Sequence, residues 1–317
     1  MAKPIISIVI PAYNESANLP LILEEVQTLR AVETNYDFEI IIMDNHSTDS
    51  TPQVAMNFAS QDPAVRLIRL SRNFGYQANI LTGYMNCKGA AAVQLDADGE
   101  DDPALISTFL RKWEEGYKVV YGVRTQRQES WFRILQRKIF YKIIARLSTV
   151  DLPVDSGDFR LLDRCVLNSM AQFSETALYL RGMMSYIGFK QIGIEYARRK
   201  RYRGESKFSF WDYLTLALDG VTSFSQKPLY AVVQLGSIIS LLSFIGMVYY
   251  LGLYLVGRVD TPGFTTLVLI QLLMTGVQLI CLGINSVYVG RIFAEVKQRP
   301  RSIVEFAYPP SNDVRNV

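Results

Sequence analysis

The chain has 317 residues, 33 Lys and Arg against 30 Asp and Glu, and a formal net charge of +3. That length suits one or two domains, and so small a basic excess gives no case for nucleic acid as a partner. Cys87, Cys165 and Cys281 show no paired or metal-ligand spacing, which excludes a disulfide framework and suits a reducing compartment; a single histidine, His46, excludes His-rich metal sites and most His-based triads.

The start, MAKPIISIVIPAYNE, lacks the long apolar core and cleavage site of a signal peptide, so the N-terminal part is expected in the cytosol. IISIVIPAY then reads as a buried strand of β-branched residues, and SANLPLILEEVQTLRAV as a helix with Ser16 or Asn18 as its cap. The alternation continues with FEIIIMDNHS (strand), STDSTPQVAMNFASQ (helix), VRLIRLS (strand), GYQANILTGYMNCKG (helix), AAAVQLDAD (strand), DPALISTFLRKWEEG (helix) and KVVYGVR (strand). Strands alternating with helices predict an α/β fold with a mostly parallel, Rossmann-like sheet covered on both faces. Ligands bind such sheets at the carboxyl ends of the strands. The polar clusters Asn14-Glu15, Asp44–Asp49, Ser71–Asn73 and Asp96–Asp98 all follow strands and are expected to converge on one edge.

Two later stretches, 130–148 and 208–225, read as helices at a membrane surface, the first basic and amphipathic; the alternative for it is an ordinary helix packed on the sheet. Segments 229–256 and 264–290 carry no charge and are long enough to span a bilayer. The alternative is a pair of buried core helices, which rarely run so long without charge. Lys227 before the first span, and Arg291, Lys297, Arg299 and Arg301 after the second, predict that both ends face the cytoplasm, although Arg258 sits in the outer loop. The expected organisation is a cytoplasmic catalytic domain over 1–226, a two-helix membrane hairpin over 227–290 and a cytoplasmic tail over 291–317, in which RSIVEFAY is strand-like. Gly236, Gly246, Gly252 and Gly276 would permit close packing between spans, and with it a homo-oligomer.

The chemistry concentrates in VQLDADGEDDP, residues 93–103, where Asp96, Asp98, Glu100, Asp101 and Asp102 follow an apolar strand. Such repulsion is costly without a cation nearby. Alternate residues of a strand end face one side, so Asp96 and Asp98 are expected to share the cleft. Hard oxygen ligands of this kind suit Mg2+ or Mn2+ brought with a diphosphate; the plain alternative is a surface acidic turn. Glu100, Asp101 and Asp102 read as first-turn acids of the helix starting near Pro103. No G-x-G-x-x-G and no Walker A sequence is present, which excludes a soluble NAD enzyme of the usual kind. Asp44 ends a strand where an acid can bind ribose hydroxyls or a base edge, or serve as a helix cap in place of Ser47 or Asp49.

Taken together, SIVIPAYNE, IIMDNHSTDST, LSRNFGYQANILTGY, VQLDADGEDDP, DSGDFRLLDR and RYRGESKFSFWDY resemble the family 2 inverting glycosyltransferases of GT-A fold. The resemblance covers nearly the whole chain and is closest to the polyisoprenyl-phosphate glycosyltransferases, the GtrB and ArnC type and dolichol-phosphate mannose synthase. One departure is DNHSTD, where that family usually has Asp-Asp-Gly-Ser, so Asn45 and His46 put the base contacts in question. The resemblance implies that Pro11, Tyr13, Glu15 and Asp44 line the base and ribose pocket, with Gln94 facing the same cleft. It implies that Asp96 and Asp98 bind donor and metal, and that Asp158 is an acid near the sugar, catalytic together with Asp96. Arg201, Arg203, Ser206 and Lys207 would close over the phosphates; as a basic patch, the run RRKRYRGESK would bind anionic lipid.

The implied reaction moves a sugar, glucose first among the candidates, from a UDP-sugar to a polyprenyl phosphate such as undecaprenyl phosphate, giving a lipid-linked sugar for cell-envelope glycosylation. UDP-linked aminoarabinose derivatives and GDP-mannose are the alternative donors. A phosphate monoester is already mostly ionised at neutral pH, its second pKa being about 6, so Asp158 is expected to orient or balance charge at least as much as to remove a proton. Arg124, Arg127, Arg133, Arg137 and Lys138 are candidates for the acceptor phosphate. Two rivals remain: a processive polysaccharide synthase, whose Gln-x-x-Arg-Trp motif and extra spans are missing here, and a non-catalytic nucleotide-sugar-binding membrane protein.

Overall fold

A computed structural model describes residues 3–125, 156–173, 175, 180–199, 202, 227–256, 263–311 and 313–317. The apolar run Ile5–Ala12 forms β1, buried at every position after Ile5. It pairs in parallel with β2 (Asp37–Asp44) and β4 (Ala91–Gln94), and β2 pairs in parallel with β3 (Val65–Leu70). The connecting helices are α1 (Leu19–Val32), α2 (Thr51–Gln61) and α3 (Tyr76–Asn86). Alternate strand residues feed opposite faces: Ile8 and Ile10 join a core with α1 and α2, whereas Val9, Ile41 and Met43 pack with Ile80, Leu81 and Tyr84 of α3. Strands buried on both sides read as unbroken apolar runs, which is why the sequence announced them. Gly83 marks the closest approach of α3 to β1, since a Cβ there would stand 2.3 Å from Val9 Cγ1.

The second half is mixed. After α4 (Leu105–Glu114) and β5 (Val119–Arg124), β6 (Ser156–Asp163) inserts antiparallel between β4 and β5. Then α5 (Arg164–Met170) and α6 (Leu180–Ile187) lead to β7 (Gln191–Tyr196), parallel to β5 at one edge.

Helices α7 (Lys227–Leu255) and α8 (Phe264–Val296) are each long and apolar enough to cross a membrane, and none of the described spanning stretches is buried. Leu241, Leu242 and Phe244 are about 60% exposed, which is not how core helices of a soluble protein pack. At ~1.5 Å per residue, α8 is longer than a bilayer core and runs six residues past the predicted end of its span.

The stretch 291–317 is not a separate tail. β8 (Val304–Tyr308) pairs antiparallel with β3 and completes an eight-stranded sheet in the order β7-β5-β6-β4-β1-β2-β3-β8. Ser302 is fully buried against Thr82, with 2.6 Å between their hydroxyls, and the Asn86 side chain holds both the C=O and the N–H of Arg315, at 3.0 and 2.7 Å. The physical reason is twofold: β3 would otherwise be a bare edge, and the buried polar groups of α3 need partners.

Candidate active site

The loops after β1, β2 and β3 are tied to one another by side chains. Asn14, at φ 56, accepts from Thr48 N at 2.8 Å and donates its own N–H to Ser47 Oγ at 2.9 Å. Asn45 donates to Asn73 Oδ1 at 2.9 Å and accepts from Phe74 N at 3.0 Å. His46, in the place where the resembled family usually has glycine, adopts φ 63 and sets Nδ1 3.2 Å from Leu70 O. The left-handed backbone that glycine normally supplies is thus kept by a histidine braced on β3. Asp44 is fully buried; it accepts from Ser47 N at 3.0 Å and pairs with Arg69 Nη1 at 3.0 Å. Burial raises its carboxyl above the ordinary value, against the pull of Ser47 and Arg69. Pro11 is buried in β1, Tyr13 is exposed, and Glu15 accepts from Asn18 Nδ2 at 2.6 Å. Neither Ser16 nor Asn18 caps α1 with its side chain, and the start of α2 is held instead by Asp49, which accepts from Thr51 N at 3.0 Å.

The strand carrying the acidic motif ends earlier than the sequence predicts. β4 stops at Gln94, and Leu95 N still reaches Val9 O at 3.0 Å, so Asp96 and Asp98 lie in the turn beyond it. Strand alternation therefore does not orient them. Asp96 Oδ1 accepts from Tyr76 Oη at 2.6 Å and Gln94 Nε2 at 2.7 Å, and Asp98 Oδ1 accepts from Glu100 N at 3.1 Å.

The other three acids are not first-turn acids as a group. Only Asp102 serves that end, accepting from Ala104 N at 2.9 Å; α4 itself starts at Leu105. Asp101 is fully buried and accepts from Tyr196 Oη. Arg198 pairs with Glu100 and lies 3.6 Å from Asp101, while Arg199 pairs with Asp102 and with Glu25, the latter at 3.0 Å. Tyr202 completes this strap: its N–H bonds Asp98 O at 3.1 Å, its ring lies against Gly99 (φ 74), and its hydroxyl reaches Glu25. The protein thus supplies cations for Glu100, Asp101 and Asp102. Among the described residues Asp96 has no ion pair, and burial together with Asp101 and Asp98 pushes its carboxyl up to about 8.

Asp158, on β6, is gripped by Arg181 of α6 through Nε at 3.0 Å and Nη2 at 2.9 Å, with Arg160 Nη2 3.5 Å away. Burial opposes the charge, but Arg181, Arg160 and Arg124 outweigh it and hold the carboxyl at about 2. Arg124, at the end of β5, is 3.5 Å from Tyr196 Oη, and a Cβ on Gly157 would stand 3.2 Å from its Nη2. Two acids that repel one another, Asp96 and Asp101, thus neighbour a third acid that arginines surround.

The donor set fits a divalent ion that arrives with oxygen ligands of its own. Among the described residues Gln94 Oε1 and Asp101 Oδ2 are buried without a partner, and no group of three His, Cys, Asp or Glu is placed to hold a metal ion by itself. Of the residues expected from sequence, Arg127, Arg133, Arg137, Lys138, Arg201, Arg203, Ser206 and Lys207 lie outside the described residues, as do the stretches 130–148 and 208–225. Sequence reasoning gave no role to Tyr76, Arg181 or Arg69, and it read Arg198 and Arg199 only as part of the basic patch RRKRYRGESK, whereas they pair with Glu100, Asp102 and Glu25. Arg181 left a signal as the one charge in the apolar run LRGMMSYI.

Residues 7–170 match the domain Glycosyl transferase family 2. The chain belongs to this family. Its relatives include the glycosyltransferase YkcC of Bacillus subtilis, 39% identical over 96% of this chain and 95% of its own length. They also include the SfII prophage-derived bactoprenol glucosyl transferase of Shigella flexneri, 32% identical over 95% of this chain and 97% of its own length. Among solved structures, mannosyltransferase PcManGT of Pyrobaculum calidifontis, in complex with GDP-Man and Mn2+, overlaps 94% of this chain and 88% of that one at 16% identity and a TM-score of 0.49. The family 2 chain described here is a glycosyltransferase with a GT-A-like, mostly parallel sheet and two apolar C-terminal helices.

Proposed function

We propose that this glycosyltransferase moves glucose from UDP-glucose to a polyprenyl phosphate, undecaprenyl phosphate in a bacterium, with its catalytic sheet on the cytoplasmic face of the membrane. The observation that carries this reading is the extent of the match to a bactoprenol glucosyl transferase, 95% of this chain, catalytic sheet and apolar helices alike.

In this reading Pro11, Tyr13, Glu15 and Asp44 form the nucleotide side of the cleft. Asp96 and Asp98 would hold Mg2+ or Mn2+ against the donor diphosphate, where a divalent ion supplies the positive charge that the leaving group needs. Tyr76 and Gln94 orient Asp96 for that task. An ionised oxygen of the lipid phosphate attacks the anomeric carbon from the face opposite the diphosphate. The new C–O bond forms as the old one breaks, nucleoside diphosphate departs with the electron pair, and the anomeric configuration inverts. No strong base is needed, because the nucleophile has already lost its proton. Asp158, held ionised by Arg181, positions sugar or acceptor by charge. Arg124 is the acceptor-phosphate candidate beside it, with Arg127, Arg133, Arg137 and Lys138 as further candidates, and Arg201, Arg203 and Lys207 are assigned to the donor phosphates.

The test is a transfer assay in detergent with undecaprenyl phosphate, Mg2+ and, in parallel, labelled UDP-glucose, UDP-galactose, UDP-N-acetylglucosamine and GDP-mannose. Chelator-sensitive label in the lipid phase from UDP-glucose supports the proposal. Label from another donor corrects the sugar. Nucleotide binding with no lipid label from any donor argues for a non-catalytic binding protein.

A further inference from the structure

Glu305 belongs to β8, beyond the second apolar helix, and lies 236 residues from the side chain it binds. Its Oε2 accepts from Arg69 Nε at 2.9 Å and lies 3.7 Å from His46 Nδ1. Arg69 in turn places Nη1 on Asp44 Oδ2 at 3.0 Å and Nη2 on Ser47 O at 3.3 Å. One guanidinium therefore joins three groups: a carboxylate from the C-terminal strand, the buried acid that ends β2, and the backbone of the loop after it. Planar and always charged, it can serve all three only in one orientation.

We propose that Glu305 is a positioning residue for the donor-nucleotide site. From β8 it fixes the Arg69 fork on Asp44 and Ser47, and so keeps the loop over residues 44–51 in the shape that receives a nucleoside diphosphate. This rests on the reading of Asp44 as the nucleotide side of the cleft. Two observations favour positioning over plain stabilisation. Glu305 is 45% exposed, so its pair with Arg69 contributes little to global stability. Its contacts nevertheless converge on Arg69 and His46, the residues that set this one loop, and not on the sheet core. The same strand begins eight residues after α8 ends at Val296. At ~3.3–3.6 Å per residue, that connection keeps the start of β8, one residue before Glu305, within about 30 Å of the end of the second apolar helix.

The experiment compares full-length wild type, Glu305→Ala, Glu305→Gln and, as a control on the same C-terminal segment, Asp313→Ala, which removes only an exposed pair with Lys88. Each is measured by UDP titration, by the donor KM and kcat, and by amide exchange over residues 44–51, with thermal unfolding as a check on folding. Glu305→Ala is expected to weaken UDP binding and raise the donor KM about fivefold, the equivalent of ~1 kcal/mol. kcat should change less, and exchange over the loop should be faster. Glu305→Gln keeps an acceptor without the charge and should fall between, while Asp313→Ala should match wild type. Wild-type affinity and exchange in both Glu305 variants overturn the proposal, and Glu305→Gln decides alone if Glu305→Ala fails to fold. If wild type itself binds no nucleotide, the donor-site reading fails and takes the nucleotide role of Glu305 with it. Exchange then still reports separately whether Glu305 holds the loop.

Discussion

Arg181 meets Asp158 with two parallel bonds, Nε to Oδ1 at 3.0 Å and Nη2 to Oδ2 at 2.9 Å. A fork of this kind both holds the carboxylate in one plane and keeps it charged. With its carboxyl at about 2, Asp158 is ionised at every pH at which the enzyme works. The pH–rate profile should therefore show no limb from Asp158 between about pH 5 and 8. Asp158→Asn should retain measurable turnover with the wild-type pH dependence. Arg181→Ala should lose roughly 30-fold or more in kcat/KM, about 2 kcal/mol, and Arg181→Lys should restore little, since an ammonium cannot grip both oxygens. An acid limb near neutrality that vanishes in Asp158→Asn would sink the positioning role.

Asp96 carries the opposite shift, and its sign has two consequences. A carboxyl raised to about 8 binds a proton in the folded, metal-free protein that the unfolded chain has already released. Stability conferred on the metal-free fold is thus complete below the unfolded pKa of about 3.9 and falls as pH rises from there towards 8. Asp96→Asn should abolish transfer yet raise the metal-free Tm at pH 7.5 by ~2–4 °C, about 1 kcal/mol. A proton also competes with the divalent ion, so the half-saturating Mn2+ concentration should rise as pH falls from 8 to 6, by up to about tenfold per unit. Thermal unfolding of the EDTA-stripped proteins reads the first and Mn2+ titration at pH 6 to 8 the second; an unchanged Tm in Asp96→Asn or a pH-independent Mn2+ affinity would contradict the respective consequence.

Gly99 has φ 74, and a Cβ on it would stand 1.9 Å from the ring of Tyr202. Gly99→Ala must push Tyr202 off the acidic turn, and its backbone conformation costs a further ~1 kcal/mol. The expected result is weaker donor and Mn2+ binding with little change in far-UV circular dichroism. Tyr202→Ala removes the obstruction, so in the double variant the two losses should add to less than their sum. Full additivity would mean that the ring contact is unimportant.

A chain cut after residue 226 would lose more than its apolar helices. It would bare β3 and leave Thr82 and Asn86 without Ser302 and Arg315. Such a protein is expected to aggregate or unfold at a temperature several degrees lower than one in which 227–296 is replaced by a flexible linker and 297–317 is kept. Equal solubility and equal Tm of the two would show that β8 is dispensable.

The first half of the fold was legible because its strands are buried on both faces and its helices are short and bounded by polar or glycine-containing loops, so each element announces itself locally. The polar clusters at strand ends were legible for the same reason: topology forces them to one edge. β6 and β7 were not, since an inserted antiparallel strand and an added edge strand are stabilised by partners far away in the chain. The fate of the acidic run was half legible. That five carboxylates need positive charge follows from repulsion alone, but which ones the protein neutralises for itself depends on where Arg198 and Arg199 come to rest. Asp101 illustrates the point: read as a helix-start acid, it is buried under Tyr196.

By itself, the order of residues determined an α/β fold with polar groups gathered at its strand ends, followed by two long apolar helices, because hydrophobic period, run length and strand-end chemistry are local properties. Only the tertiary structure decided that Arg181 holds Asp158, that Arg198 and Arg199 claim three acids while Asp96 has no ion pair among the described residues, and that Glu305 returns from beyond the two long apolar helices to brace Arg69 on Asp44. Those are pairings between charged groups far apart along the chain. Their free energies depend on distance and burial, which no spacing in one dimension encodes.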